Sequence, residues 1–328
     1  MSLPAVDDAS SPVATERNLL LQVARREVRG DVAVLELREA GGGVLPSWAP
    51  GAHVDLVLGA DLVRQYSLCG GLHDDTWRIA VLLVAHGRGG SRFVFDKLGT
   101  GAVVEARGPR NRFPLTPARE YVFLAGGIGI TPLIPMIEDA EAAGANWVLH
   151  YGARTRQDMF LAGELLNDHP DRVRLFPKDE CGLIPFGEIM RDVGPDALVY
   201  CCGPEPMLDA AEEAAAWCGS AERLRVERFQ PRARPQPTSE REFEVVLAKS
   251  GLTVTVPPGQ SILESLTKVG VNVLSSCNEG TCGTCETFIV EGTPDHRDTV
   301  LTPEEQACGD SLMVCVSRSA SRRLVLDL

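Results

Sequence analysis

The sequence predicts a multidomain protein: an antiparallel β-barrel, an α/β domain with a parallel sheet, and a small C-terminal domain built around cysteines. Three observations predict this organisation. Short strand-like runs separated by glycine turns fill the first third of the chain. Buried strands then alternate with helices from Tyr121 onwards. After a proline-rich segment, three cysteines follow the spacing C-x4-C-x2-C. The length of 328 residues also exceeds that of one ordinary domain.

Composition and charge exclude several classes of function. Apolar residues make up 44% of the chain and charged residues 23%, as in soluble globular proteins. The net charge of −13 argues against a nucleic-acid partner. The longest uncharged run, residues 121–137, is interrupted by glycines and prolines, so we expect no membrane span. Residues 1–17 carry Asp7, Asp8 and Glu16 and lack the apolar core of a signal peptide. We therefore expect a cytoplasmic monomer with reduced thiols.

The first domain is predicted to be the β-barrel, over residues 18–116, after a disordered tail at residues 1–17. Strand-like runs occupy residues 19–23, 32–37, 63–68 and 77–84. Two segments of this region carry chemistry. Arg64 offers a planar guanidinium that can bond two phosphate oxygens. Residues 87–91 form a glycine-rich turn before a predicted helix at 93–97, and free amides at a helix start bind anions. Together they predict a flavin phosphate site.

The second domain is predicted to be an α/β parallel-sheet nucleotide-binding domain over residues 117–229. Residues 121–125 form a continuous apolar strand of the kind found in parallel sheets. The turn after it reads G-G-x-G-x-x-P, which differs from the Rossmann fingerprint but still joins a strand to a helix start. Later strands are predicted at 146–151, 173–176 and 197–201, and helices at 159–167 and 186–192. Glycines follow three strands, at Gly126, Gly152 and Gly203, where parallel sheets bind ligands.

The third domain is predicted over residues 241–328, after a semi-rigid proline-rich linker at residues 230–240. A hairpin is expected from strands at 243–247 and 252–256, with later strands at 287–290, 312–316 and 324–328. Residues 261–269 are expected to form a helix. Ser261 and Glu264 have the spacing of a capping box at its start.

The cysteine spacing in this domain is that of a plant-type 2Fe-2S cluster. The ligands would be Cys277, Cys282, Cys285 and, after 29 further residues, Cys315. Glycines between them let the backbone wrap a bulky cofactor and direct amides at the sulfurs. A structural zinc site is the alternative, but zinc sites usually have a second short-spaced pair, whereas Cys315 stands alone. We interpret the six other cysteines as buried apolar groups: Cys69, Cys181, Cys201, Cys202, Cys218 and Cys308.

The order of these motifs resembles the phthalate dioxygenase reductase family, which includes vanillate O-demethylase reductase components. The resemblance covers residues 18–328, and its matching segments lie at residues 64–68, 87–92, 109–115, 126–132, 151–154, 202–204, 275–285, 296–302 and 313–318. Members join an FMN-binding β-barrel, an NAD-binding α/β domain and a C-terminal plant-type ferredoxin domain of the β-grasp kind. The same three domains, in the same order, are therefore implied here.

The resemblance also implies binding residues. FMN would contact Arg64, Tyr66, Ser67, Ala80, Val81, Leu82, Gly89, Gly90, Ser91, Thr131 and Phe229. NAD would contact Gly126, Gly127, Gly129, Ile130, Gly152, Arg154, Cys202, Gly203, Pro204 and Met207. Phe229 matches the aromatic residue that lies over the flavin ring. No side chain is expected to act as a general acid or base, because the cofactors carry the redox chemistry.

The implied function is a reductase component. It would take hydride from NADH onto FMN and pass single electrons through the 2Fe-2S cluster to a separate oxygenase. Arg154 and Arg156 near the second strand end leave NADPH open. The acceptor would be a Rieske-type aromatic oxygenase or O-demethylase, or alternatively a haem-thiolate monooxygenase. Two rivals remain. One is an FAD-dependent reductase of the flavohaemoprotein or methane-monooxygenase type, in which the ferredoxin domain usually comes first. The other is a colourless, zinc-stabilised, non-catalytic binding module.

Overall fold

The computed structural model describes residues 18–59, 62–232 and 241–328. Its first sheet contains β1 Asn18–Arg29, β2 Val32–Glu39, β3 Ala52–Gly59, β4 Leu62–Ser67, β5 Trp77–Leu82 and β6 Val103–Asn111. Neighbouring strands are antiparallel, in the order β4-β3-β6-β1-β2-β5. A bridge between Leu68 and Ile79 brings the two edges of the sheet together, so the sheet curls into the predicted barrel. Helix α1, Gly90–Lys97, follows β5.

The barrel core follows from the alternation of side chains along its strands. In β2, Ala33, Leu35 and Leu37 are fully buried, while the residues between them are partly exposed. Strand β3 breaks this rule, because His53 and Asp55 are buried as well as the apolar residues that alternate with them. The outer face of β3 is therefore covered by another part of the protein.

The second sheet contains β7 Glu120–Gly126, β8 Asn146–Ala153, β9 Val173–Pro177, β10 Ala197–Cys202 and β11 Leu224–Glu227. Its helices are α2 Leu133–Ala142, α3 Ala162–Asp168, α4 Lys178–Cys181, α5 Phe186–Asp192 and α6 Glu205–Trp217, with short 3-10 helices at Gly127–Ile130, Arg156–Asp158 and Ala221–Arg223. All strands are parallel, in the order β11-β10-β7-β8-β9. The chain starts at β7, fills one side of the sheet and then returns to the other. The strand order therefore reverses between β7 and β10, where open α/β sheets bind their ligands.

The C-terminal domain contains β12 Phe243–Leu247, β13 Thr253–Val256, β14 Glu286–Glu291, β15 Pro294–Asp295, β16 Ser311–Met313, β17 Arg318–Ser319 and β18 Arg323–Leu326, with helices α7 Ile262–Lys268 and α8 Pro303–Cys308. The main sheet has the order β13-β12-β18-β14-β16, and β15 pairs with β17. Strand β18 runs parallel to β12, while the other pairs are antiparallel. The predicted capping box is present: Glu264 N donates to Ser261 Oγ at 3.1 Å, and Ser261 N donates to Glu264 Oε2 at 3.0 Å.

Several element predictions differ from the structure. The predicted strand at 312–316 was too long, because β16 ends at Met313 and the chain then turns to bring Cys315 to the other cysteines. The helix expected from residue 159 begins at Ala162. Strand β6 and helix α6 were not predicted. The predicted tail at residues 1–17 and most of the predicted linker lie outside the described residues. Within the described ranges, no helix is long and apolar enough to cross a membrane.

Candidate functional site

The loop from Cys277 to Cys285 is wound by three residues with left-handed backbone conformation. Asn278, Gly280 and Gly283 have φ of 56°, 69° and 73°. A Cβ atom on Gly280 would lie 2.5 Å from the Val316 side chain, so the loop is tightly packed. The winding turns backbone amides towards sulfur. Glu279 N and Thr281 N donate to Cys277 Sγ at 3.3 and 3.5 Å.

The four predicted ligands come together. Cys277 hydrogen-bonds to Cys282 and Cys315, and these contacts lower the pKa of the Cys277 thiol. Cys285 contacts Cys315 in the same way, which lowers the pKa of Cys285. Three of the four thiols are buried and Cys277 is partly exposed. No three His, Cys, Asp or Glu side chains in the described ranges are grouped around a single metal ion. In a 2Fe-2S cluster, two irons share the four thiolates. Four converging thiols with amides aimed at sulfur fit this cluster.

The two barrel segments that were predicted to bind phosphate lie side by side. Arg64 on β4 packs against the start of α1, where a Cβ atom on Gly90 would lie 2.4 Å from Arg64 Cγ. Arg64 Nη2 donates to the carbonyl of Arg88 at 3.0 Å. Gly89 has φ of 85° and leads into the helix. The guanidinium, the glycine turn and the first amides of α1 thus form one positively polarised cradle that fits a phosphate group.

A cavity of about 50 Å³ joins this cradle to the cysteine loop. It is lined by Val63, Arg64, Gln65, Arg88, Phe229, Cys277, Glu279 and Thr281. The barrel supplies the first four residues, the segment after β11 supplies Phe229, and the cysteine loop supplies the rest. Phe229 is 42% exposed, as an aromatic residue that covers a cofactor would be without its ligand. Two of the predicted flavin residues, Arg64 and Phe229, therefore share a cavity with the most exposed of the four thiols.

Polar contacts hold the cysteine loop against the barrel. Arg88 forms an ion pair with Glu279. Arg112 Nη2 donates to Glu286 Oε2 at 3.1 Å and to the carbonyl of Gly283 at 3.2 Å. A Cβ atom on Gly283 would lie 2.7 Å from Arg112 Nε, so the guanidinium lies directly on the loop. Two arginines of the barrel thus contact the loop directly.

The ends of β7 and β10 meet in close contact at the switch point. A Cβ atom on Gly129 would lie 2.4 Å from the carbonyl oxygen of Cys202. One on Gly126 would lie 2.5 Å from Met207 Sδ, and one on Gly203 would lie 3.0 Å from Gly126 Cα. The glycine turn after β7 and the segment after β10 are therefore in backbone contact. Gly152 pairs in register with Gly126 on the other side. Gly127 and Gly203, which are partly exposed at this edge, are the residues whose amides could meet a pyrophosphate.

The remaining predicted residues lie at the junction of the barrel with the glycine turn, beside Arg64, or elsewhere on the barrel and strand ends. Ala80 on β5 shares an apolar cluster with Ile130, so the barrel strand and the glycine turn meet. Thr131 is buried there and donates from Oγ1 to the carbonyl of Ile128 at 2.9 Å. Ile130 is fully buried, so neither its side chain nor its backbone is accessible to a nucleotide in this structure. Beside Arg64, Tyr66 is partly buried, and burial raises the pKa of its hydroxyl. Other predicted residues are Ser67 and Val81, which are buried, Leu82 and Arg154, which are exposed, and Ser91, which accepts a hydrogen bond from Val84 N at 3.0 Å.

Glu227 is a site residue that the sequence did not reveal. It ends β11, and Cys202 Sγ lies 3.9 Å from its carboxylate. Part of the residue reaches the surface, but the carboxyl group is densely surrounded, and this burial raises its pKa to about 8. Burial also raises the pKa of the Cys202 thiol. A carboxyl group that is mostly protonated at neutral pH therefore lies beside the end of β10. Its partner is 25 residues away in the chain, and no local motif announces the pair.

The segment that carries Phe229 is held by a cluster of ion pairs. The side chain of Arg228 is only 9% exposed and bonds both oxygens of Glu212 at 3.0 Å. Arg232 bonds Asp209 on the same helix, α6, at 2.7 Å. Phe229 lies between the two arginines. Its backbone is therefore anchored while its ring remains free to face the cavity.

The interpretation of the other six cysteines was partly wrong. Cys69, Cys201 and Cys202 are buried, as expected. Cys181 and Cys308 are exposed, and Cys218 is half-buried. The exposed pair lies in or at the end of short surface helices, α4 and α8, where residue type alone does not determine burial.

Comparison with known proteins assigns two of the three domains. Residues 123–213 match the model of the oxidoreductase NAD-binding domain. Residues 245–320 match the model of the 2Fe-2S iron-sulfur cluster binding domain. The predicted nucleotide-binding and cluster-binding domains are confirmed.

Whole-chain comparisons extend this result. The chain is 42% identical, over 93% of its length and 97% of the relative, to a putative toluene-4-sulfonate monooxygenase system reductase subunit of Comamonas testosteroni. Among solved structures it resembles phthalate dioxygenase reductase, described as a modular structure for electron transfer from pyridine nucleotides to [2Fe-2S], with a TM-score of 0.68, 34% identity and coverage of 95% of this chain and 98% of the other. It also resembles an intact type IV self-sufficient cytochrome P450 monooxygenase, with a TM-score of 0.88 and 41% identity. This match covers 95% of this chain but only 41% of the longer cytochrome P450 chain.

Proposed function

Because this chain belongs to the phthalate dioxygenase reductase family, we propose that it is the reductase component of an oxygenase system. It would take hydride from NADH onto FMN and deliver electrons one at a time, through its 2Fe-2S cluster, to a separate oxygenase. The observation that carries the proposal is the shared cavity, in which Arg64, Phe229 and Cys277 meet. It would join the flavin site to the cluster.

The bound cofactors would supply the redox chemistry, since a flavin accepts two electrons as hydride and an iron–sulfur cluster carries one. The protein contributes position. The glycine turn after β7 and the segment after β10, which are in contact, would orient the dinucleotide with its ring towards the barrel. Phe229 would cover the flavin until the nicotinamide ring displaces it. Arg112 and Arg88 would hold the cluster loop over the flavin edge.

FMN is the flavin that we propose for the barrel. The cradle of Arg64, Gly90 and Ser91 would hold its phosphate group. The family resemblance supports the same choice. The predicted contacts to FMN and NAD, and the domain limits at 18–116, 117–229 and 241–328, stand as part of this proposal.

We propose NADH as the donor because one of the two arginines that follow the second strand, Arg156, is already engaged by a carboxylate. Arg156 bonds both oxygens of Glu180, at 3.1 and 2.7 Å. The pair lowers the pKa of Glu180 and raises that of Arg156, so both groups stay charged. A carboxylate at this place repels the 2′-phosphate that distinguishes NADPH.

For the acceptor, we propose a Rieske-type aromatic oxygenase or O-demethylase, on the resemblance to phthalate dioxygenase reductase. A haem-thiolate monooxygenase is the second candidate. It is favoured by the higher structural similarity to the reductase part of the self-sufficient cytochrome P450. Reduction assays with one purified oxygenase of each class would distinguish them.

The test of the proposal is an absorption spectrum before and after anaerobic NADH, with chromatography of the released flavin. A brown protein with flavin and iron–sulfur bands that bleach on NADH, and that releases FMN, is the expected result. A colourless protein that contains zinc would overturn the proposal in favour of a binding module. Release of FAD would retain the electron path but contradict the proposed flavin.

A further inference from the structure

The covered face of β3 contains a polar patch that the proposed electron path does not use. Ala52, Val54 and Leu56 point into the barrel core, so alternation places His53 and Asp55 on the outside of the barrel. A carboxylate on such a face is normally in water. Asp55 is 0% exposed and His53 is 7% exposed. Something must cover them and satisfy the charge of Asp55.

The cover is the start of the cysteine loop. The hydroxyl of Ser276 donates to Asp55 Oδ2 across 221 residues of sequence. The guanidinium of Arg110, on the neighbouring strand β6, contacts the same oxygen. Ser276 is 8% exposed and directly precedes Cys277, the thiol that lines the shared cavity. Asp55 therefore bridges a barrel arginine and the side chain of the residue that precedes a cluster ligand.

The charges in this patch single out Asp55. Burial, followed by the positive charge of Arg110, lowers the pKa of His53 to about 4, so this imidazole is neutral at pH 7. Asp55 is then the anion that balances Arg110 under the loop. A buried carboxylate is costly unless it is hydrogen-bonded. A loop position in which Ser276 donates to Asp55 is therefore favoured over positions in which this bond is missing.

We propose that Asp55 is a positioning residue for electron transfer, because its contact with Ser276 seats the cysteine loop so that Cys277 faces the flavin side. The inference rests on the proposed function, in which electrons pass from the flavin to the cluster. Asp55 would thus position the cysteine loop without touching either cofactor.

The surface ion pairs between the same two domains are weaker candidates for this role. The side chains of Arg88 and Arg112 are 52% and 45% exposed, so solvent and salt screen their pairs with Glu279 and Glu286. The Asp55 contact is shielded from water, and losing it leaves a buried charge without its counterion. Seating should therefore depend more on Asp55 than on either arginine.

The experiment is anaerobic stopped-flow mixing of the full-length holoprotein with NADH, following flavin bleaching and cluster reduction at separate wavelengths. The variants are Asp55→Ala, Asp55→Asn, Ser276→Ala and the double variant of Asp55→Ala with Ser276→Ala. Asp96→Ala is the matched control, because Asp96 is an exposed carboxylate of the same domain on α1. Hydrogen exchange of residues 275–283 reports seating independently of turnover. Dithionite reduction and the electron paramagnetic resonance signal report whether the cluster is intact.

In Asp55→Ala we expect flavin bleaching within about twofold of wild type, cluster reduction slowed at least about tenfold, and faster exchange in residues 275–283. Asp55→Asn should retain more of the cluster-reduction rate, since its amide oxygen still accepts from Ser276. The double variant should be no slower than Asp55→Ala alone, because both changes break one contact.

Cluster reduction within twofold of wild type in Asp55→Ala would overturn the inference, as would effects that multiply in the double variant. If Asp55→Ala does not fold, Ser276→Ala decides alone: a wild-type cluster phase and wild-type exchange would overturn it. A wild-type protein whose flavin is not bleached by NADH would instead refute the proposed function.

Discussion

The substitution Gly129→Ala tests most directly whether the dinucleotide binds against the glycine turn after β7. Its Cβ atom would lie 2.4 Å from the carbonyl oxygen of Cys202 and 2.7 Å from Gly203 N, whereas ordinary contacts begin near 3.4 Å. Both neighbours are backbone atoms and cannot rotate away. The glycine turn must therefore move from β10 by about 1 Å, a displacement that can lower a reaction rate roughly 100-fold. We expect kcat/KM for NADH to fall by about that factor, which corresponds to about 2.7 kcal/mol.

The assay is anaerobic flavin bleaching as a function of NADH concentration. Gly163→Ala is the matched control, because the same methyl group on α3 meets nothing within 4 Å. We expect the control to have wild-type kinetics and both variants to keep their flavin and iron content. Gly129→Ala with kcat/KM within threefold of wild type would refute the placement of the dinucleotide against this turn.

Three further predictions concern other parts of the site. Cys285→Ser should lose the cluster, measured as iron content, but keep flavin bleaching by NADH; normal reduction of a one-electron protein acceptor would contradict the order of transfer. Glu180→Gln should raise kcat/KM for NADPH several-fold, since it frees Arg156 for the 2′-phosphate; an unchanged NADPH/NADH ratio would refute this role. Burial raises the pKa of Glu227 from 4.5 to about 8, so the folded protein keeps this proton to a higher pH than the unfolded chain does. The folded state therefore loses stability as pH rises between these two values. The Tm of Glu227→Gln relative to wild type should therefore increase between pH 5 and 8. A difference that stays constant over this range would show that the pKa of the carboxyl is not raised.

The sequence predicted those features that depend on short-range chemistry. Three of the four thiols lie within nine residues, and this spacing alone indicates a 2Fe-2S cluster. The cluster domain could therefore be predicted from the sequence, and the match to the family model confirms it. The capping box of α7 is equally local and is present. Gly126, Gly152 and Gly203 do lie together at the carboxyl ends of β7, β8 and β10, because parallel strands align these ends; that ligands bind there stays a prediction.

The features that sequence reasoning missed depend on contacts between distant segments. Asp55 alternates with apolar residues as an exposed strand residue would, and nothing near it indicates that residue 276 covers it. Glu227 resembles any charged residue at the end of a strand, and only its approach to Cys202 gives it a raised pKa. Strand β16 ends early because Cys315 must turn towards Cys277. In each case tertiary contacts override the local pattern.

The two junctions of the molecule differ in chemistry. Ala80 and Phe113 belong to the same apolar cluster as Phe123 and Ile130, so the barrel and the α/β domain share a core. The apolar cluster of the C-terminal domain contains no residue of either neighbour. That domain meets the barrel through Asp55, Arg88 and Arg112 instead. Apolar packing fixes a relative position, whereas a polar interface can exchange its partners for water. The hydride step needs the fixed junction, since nicotinamide and flavin must be aligned. Delivery of electrons to another protein needs a junction that can open, and the polar interface lies where the cluster meets the flavin side.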